Sequence, residues 1–226
     1  MAEDTATAKP VTAISQTAAR LSFAAAATFL VLLTALHFIK PEFDPSWRVI
    51  SEYAIGRYGW IMVLGFLSLA LSCVALFIAI WSQIRTIGGR IGLAFLLVAA
   101  AGLIIAAIFT TDPITASQDE LTTDGNLHAL GAALGTSFPI AAALIGWSLA
   151  RNQAWSAARR WLAWAAVLTW IGFLVFASSI AVMFPEDGTF GPDVLIGWPN
   201  RFIMGTYSVW LMVVAWCSAR LSKQRS

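Results

Sequence analysis

Residues 59–81 read GWIMVLGFLSLALSCVALFIAIW, a stretch without one Asp, Glu, Lys, Arg or His. A helix rises about 1.5 Å per residue, so about 20 such residues cross the roughly 30 Å of hydrocarbon in a bilayer. Each backbone amide left unpaired in lipid costs several kcal/mol, and a helix pairs its own. Gly59–Trp81 is therefore expected to be a membrane-spanning helix. Five further runs repeat the pattern: Leu21–Ile39, Ile91–Thr110, Leu127–Leu149, Trp161–Met183 and Arg201–Ala219. Together they define the fold class as all-α, a polytopic membrane protein built as a six-transmembrane-helix bundle with short loops.

Composition supports the same conclusion. Of 226 residues, 59% are hydrophobic and 12% charged, against roughly 45–50% apolar and about 25% charged in an average soluble domain. A soluble fold of this size needs a polar surface, and a bilayer removes that need. The 11 Trp fit a chain with two headgroup layers in which amphipathic rings are most stable. Cys73 and Cys217 fall inside apolar runs, where a thiol packs as a small hydrophobe, and their spacing offers neither a disulfide framework nor a zinc motif.

Residues 1–19 are rich in Ala and Thr without an apolar face and are expected to form a disordered cytoplasmic tail. The six-helix domain then covers residues 20–220, and residues 221–226 form a basic cytoplasmic tail. The first run is long for a signal peptide, and no small-x-small cleavage site follows Leu36-His37-Phe38, so it is read as a retained helix. Orientation rests on Lys and Arg. With the N-terminus inside, only Lys40, Arg48, Arg57 and Arg201 of the 14 basic residues lie in outer segments. Both termini are therefore expected in the cytoplasm. Of the acids, only Glu3 and Asp4 lie inside.

Smaller features leave alternatives open. Gly131 and Gly135 form a small-xxx-small pair, which suits close helix packing within the bundle or between copies. Trp81-Ser82-x-x-Arg85 and Trp147-Ser148-x-x-Arg151 end the second and fourth runs. Either a duplicated hairpin or two helix ends with the same interfacial needs explains them. Pro139 interrupts the fourth run beside Thr136 and Ser137, and the apolar runs carry no lone deep charge, so a transport path has slight support.

The cytoplasmic loops are short and basic, with no phosphate-cradling GxxxxGK[ST] or GxGxxG, so neither a nucleotide nor a nucleic acid is expected as a partner. The outer rim differs. His37 lies near the outer end of the first helix, Asp112 just beyond the third, and His128 near the outer start of the fourth. Three readings compete for this set. His37, His128 and Asp112 offer imidazole and carboxylate ligands for a divalent metal, although no HxxxH or HExxH fixes two on one face. His128 as a base oriented by Asp112 or Asp124 would suit acid–base chemistry at a lipid headgroup. The third reading is structural, with Asp124 capping a helix, interfacial His and Asp bonding to Arg57 or Arg201, and Glu52, Asp112 or Asp193 available to pair with Arg201.

Four motifs at this rim, taken together, resemble one family. They are Ser51-Glu52-Tyr53-Ala54-Ile55-Gly56, Phe109-Thr110-Thr111-Asp112-Pro113, Gly125-Asn126-Leu127-His128 and Gly197-x-x-Asn200-Arg201. The pattern resembles the bacterial six-helix membrane family catalogued as domain of unknown function 998, over about residues 20–220. The resemblance implies a cell inner-membrane protein with no established activity, and it carries over Ser51, Tyr53, Gly56, Asp112, Pro113, Gly125, His128 and Arg201. The expected function is binding at the outer face, through Glu52, Tyr53, Asp112, Asp124, His128 and Arg201. A membrane lipid headgroup or a partner membrane protein is the expected ligand, with no cofactor required. A metal-assisted lipid hydrolase using His128, Asp112 and His37, or a small transporter, are the alternatives.

Overall fold

The computed structural model describes residues 13–183, 185 and 190–223. Its α-helices are α1 (Ala13–Ile39), α2 (Gly59–Ile80), α3 (Ile87–Ile108), α4 (Thr123–Gly135), α5 (Phe138–Ala150), α6 (Arg159–Met183) and α7 (Gly197–Lys223). No strand occurs among the described residues. Helices α4 and α5 share one span, Thr123–Ala150, so among the described residues six stretches are long and apolar enough to cross a membrane. The protein is a multi-pass helical membrane protein.

The first helix starts earlier than hydropathy suggests. Residues 13–19, assigned to the tail by sequence, are helical. Ser15, Ala18 and Ala19 are buried, because small side chains let this turn pack on its neighbours without a long apolar run. Residues 1–12 of the expected tail and residues 224–226 of the basic tail lie outside the described residues.

The fourth span is two helices rather than one kinked helix. Pro139 has no N–H to return to the carbonyl of Gly135. Instead, Thr136 Oγ1 donates to the Ala133 carbonyl at 2.6 Å, and Ser137 Oγ to the Leu134 carbonyl at 2.7 Å. Ser137 Oγ also reaches the Phe95 carbonyl of α3 at 3.2 Å. The same two carbonyls accept the Thr136 and Ser137 amides at 3.1 and 3.2 Å, so the last turn of α4 tightens before Pro139 and the hydroxyls reinforce it.

The spans close into a ring. Helix α1 packs on α2, α2 on α3, α3 on both α4 and α5, α5 on α6, α6 on α7, and α7 returns to α1, while α2 and α7 also meet inside. Phe29, Leu36, Leu69, Leu96, Ile145 and Trp210 fill the shared core. Helix α6 is the peripheral member. Its span is 11% buried against 56% for the spans of α2 and α7, so most of its apolar surface is free to face lipid. Helices α3 and α4 cross most closely at Gly102 and Gly131, where a Cβ on Gly131 would lie 2.9 Å from the Ala106 amide nitrogen. Gly131 therefore serves packing inside the bundle. Gly135 has nothing within 4 Å of its would-be Cβ.

Candidate functional site

The first loop is tied down by buried charges. A short 3-10 turn, Ile50–Ala54, buries Glu52 and Tyr53 completely. Beneath it Lys40, 2% exposed at the end of α1, donates to the carbonyls of Tyr53 and Ile55 and lies 4.6 Å from the centre of the Phe43 ring. Arg48 pairs with Glu52 at 3.1 Å, and the Ile114 amide donates to the same carboxylate at 2.9 Å. Burial pushes the Glu52 carboxyl above its usual range, while the Ile114 amide and Arg48 pull it partly back.

Arg201, in the first turns of α7, holds this knot to the bundle. Its Nε donates to His37 Nε2 at 2.7 Å, and Nη2 to the Tyr53 hydroxyl at 2.9 Å. Nη1 serves the carbonyls of Arg48 at 2.6 Å and Gly197 at 3.1 Å. Among the described residues no carboxylate pairs with Arg201, contrary to the expectation that Glu52, Asp112 or Asp193 would. Glu52 is held by Arg48, Asp112 lies in another cluster, and Asp193 is exposed. The neighbouring Asn200 accepts from the Ile50 amide at 2.9 Å, and the Gly197 amide donates to the Ser46 carbonyl at 3.0 Å.

A second cluster organises the start of α4. Asp112 accepts from the Thr122 amide and hydroxyl, both at 2.8 Å. Its carboxylate lies where a Cβ on Gly125 would sit, which explains the glycine. Thr122, not Asp124, is the cap. Its backbone is extended and its hydroxyl accepts from the Gly125 amide at 3.0 Å. Asp124 already lies inside the first turn, exposed, where its charge favours the helix N-terminus but touches no site. His128, one turn further on, directs Nδ1 at the carbonyls of Phe109 (2.9 Å) and Ala106 (3.1 Å) that end α3.

The three sequence candidates for catalysis or metal binding thus sit in separate networks: His37 on Arg201 and the Leu33 carbonyl (2.7 Å), Asp112 on Thr122, His128 on the end of α3. Among the described residues no group of three or more His, Cys, Asp or Glu is placed to hold a metal ion. Of the expected binding residues, Tyr53, Glu52 and Arg201 converge in the loop knot, while Asp112, Asp124 and His128 belong to the α4 cluster.

Beside these clusters lies a cavity that the sequence did not reveal. It measures about 320 Å³ and is walled by α2, α3, α4, the start of α5, α6 and α7, with Phe66, Leu69, Leu103, Phe138, Phe173 and Phe176 among its apolar lining. Ser51, Thr111 and Asn200 contribute to its rim. His128 and Tyr207 line it as well. Helices α4 and α6 both contribute walls but form no extensive packing contact, so the cavity separates them. Tyr207 is missed by sequence reasoning because an aromatic in an apolar run reads as core. Only the packing reveals that its hydroxyl is buried without a hydrogen-bond partner.

Six spans, a loop knot sealed by buried cations and an apolar cavity under it define a class of polytopic helical membrane protein. The chain belongs to the family described as protein of unknown function DUF998, whose model matches residues 23–217. No curated protein and no solved structure matches the chain.

Proposed function

We propose that this protein binds a membrane lipid in the cavity between α4 and α6. The observation that carries the reading is the cavity itself. Its volume of about 320 Å³ falls at the low end for ligand sites, enough for one end of a lipid rather than a whole one. Its walls are mostly apolar, with Ser51, Thr111, His128 and Asn200 toward the rim, a composition usual for a small-molecule site. The weak contact between α4 and α6 supplies a lateral route from the bilayer. The loop knot acts as a rigid lid, because Arg201 and Lys40 spend their donors on the protein. The distribution of Lys and Arg supports a cell inner-membrane orientation with both termini in the cytoplasm, which puts the knot on the outer face.

The test fills the cavity. Gly135 lines it with open space at its would-be Cβ, so Gly135→Phe directs a ring inside without a backbone clash. In detergent, the native protein labelled with a diazirine-bearing diacyl lipid should carry the adduct on lining residues. Gly135→Phe should lose most of that label at unchanged elution and melting temperature. Adducts confined to the outer surface of α6, indifferent to the substitution, would sink the reading. The hydrolase alternative has no geometric support, since His37, Asp112 and His128 occupy three separate networks.

A further inference from the structure

One buried side chain at the outer end of the cavity carries its polar specificity, an inference that rests on the lipid reading above. His128 is 4% exposed and lines the cavity, with the Phe66 ring 5.9 Å away between centroids. A carbonyl only accepts, so the bonds to Phe109 and Ala106 put the proton on Nδ1. The tautomer so fixed leaves Nε2 as an acceptor. Among the described residues nothing donates to Nε2, yet it is not one of the sealed polar atoms, so the exposure His128 keeps includes this nitrogen. The Tyr207 hydroxyl is the contrary case: its ring lines the cavity, but the hydroxyl is sealed off and takes no part.

The surroundings limit what can meet Nε2. None of the residues lining the cavity is Asp, Glu, Lys or Arg. The nearby cations are committed elsewhere: Arg201 to His37, Tyr53 and two carbonyls, Lys40 to two carbonyls and Arg48 to Glu52. An anionic group drawn inside would be desolvated with no compensating charge, the costliest kind of burial. On α4 the lining positions His128, Ala132 and Gly135 recur at helical spacing, so the cavity continues about 10 Å inward from His128 past small residues. A lipid with its polar end at His128 therefore has room for a chain that runs toward the bilayer centre.

We infer that His128 Nε2 is the specificity-determining acceptor of this cavity, and that it selects an uncharged lipid whose polar end donates a hydroxyl hydrogen. Diacylglycerol is the probe with that chemistry. Its 3-deoxy analogue replaces the hydroxyl by hydrogen without adding bulk, and its acyl-matched phosphatidic acid adds charge. Binding is measured by native mass spectrometry of the detergent-solubilised full chain. Diacylglycerol should bind about tenfold more tightly than either, a ratio of about 1.4 kcal/mol, which one buried hydrogen bond supplies. The discriminating variant is His128→Asn. An Asn amide can occupy the place of Nδ1 and donate to the same carbonyls, but it has nothing at the place of Nε2. His128→Asn should weaken diacylglycerol about tenfold, leave the deoxy analogue unchanged and melt with the native chain. If it melts lower, the three ligands on the native chain still decide. A deoxy analogue as tight as diacylglycerol, or a stable His128→Asn that binds diacylglycerol like the native chain, would overturn the acceptor. Phosphatidic acid binding as tightly as diacylglycerol would overturn the selection for uncharged lipids. In these cases lipid binding itself survives. Failure of all three lipids to bind would overturn the lipid reading too.

Discussion

Glu52 shows how a single buried acid couples this fold to pH. It is fully buried, and one of its oxygens, Oε2, has no hydrogen-bond partner. Burial therefore outweighs Arg48 and the Ile114 amide, and the folded carboxyl titrates above its ordinary 4.5. In the unfolded chain Glu52 ionises first, so between 4.5 and the higher folded value the native state binds more protons than the unfolded one. Stability must then fall as pH rises through that window, by at most about 1.4 kcal/mol per unit. Glu52→Gln removes the titration. Melting temperatures in detergent should show the native chain losing ground to Glu52→Gln as pH rises through the window. A native chain that gains on the variant instead would mean that Arg48 dominates and that the burial argument is wrong. The sequence marked Glu52, Tyr53 and Arg201 as partners at one rim. It offered Arg201 a carboxylate from Glu52, Asp112 or Asp193, whereas Arg201 meets His37, Tyr53 and two carbonyls, because which groups meet depends on how the first loop folds over α7. Lys40 illustrates the same limit. As a Lys beside Pro41 it reads as solvated, yet it is sealed beneath the 3-10 turn.

At the scale of the element, glycines that look equivalent in sequence do different work. A Cβ on Gly102 would meet the Gly131 carbonyl and sit 2.9 Å from the Leu134 Cβ, with the Gly135 amide nitrogen at 3.2 Å. Most of that obstruction is backbone or its first carbon, which cannot swing away. Gly102→Ala and Gly131→Ala should each destabilise by about 1–3 kcal/mol through forced separation of α3 and α4. Gly135→Ala meets nothing within 4 Å and should be neutral or gain up to about 1 kcal/mol from helix propensity. Thermal denaturation of the three variants side by side distinguishes them, and equal losses at all three would remove the close crossing. The spans themselves were legible, since apolar length is a strong signal. Their ends were less so. The start of α1 at Ala13 is set by the packing of Ala18 and Ala19, and the division of α4 from α5 by Pro139, before which the last turn of α4 tightens at Thr136 and Ser137. Such local packing and tightening leave no hydropathy trace. The capping residue of α4 was displaced by two positions for a similar reason: Asp112, ten residues upstream, clasps Thr122 and so fixes where the helix begins.

For the whole molecule, the asymmetry of charge makes a topological statement that the two native cysteines help to test. Cys73 is fully buried and Cys217 is 5% exposed, so neither is open to a bulky water-borne maleimide in the folded protein. Cysteines placed on the loops should then report alone. Asp119, between α3 and α4, and Ser156, between α5 and α6, are both exposed and lie at opposite ends of the spans. If the basic loops face the cytoplasm, Asp119→Cys should react with a membrane-impermeant maleimide in intact cells, and Ser156→Cys only after permeabilisation. The reverse pattern would invert the orientation, and with it the side from which the loop knot covers the cavity. That assignment has a consequence for the lipid as well. His128 lies in the half of the bundle nearer the knot, since it follows the start of α4 at Thr123 by only five residues. An outer-facing knot would place the rim of the cavity within the outer leaflet, so that a diazirine lipid supplied from outside should label lining residues before it has crossed the bilayer.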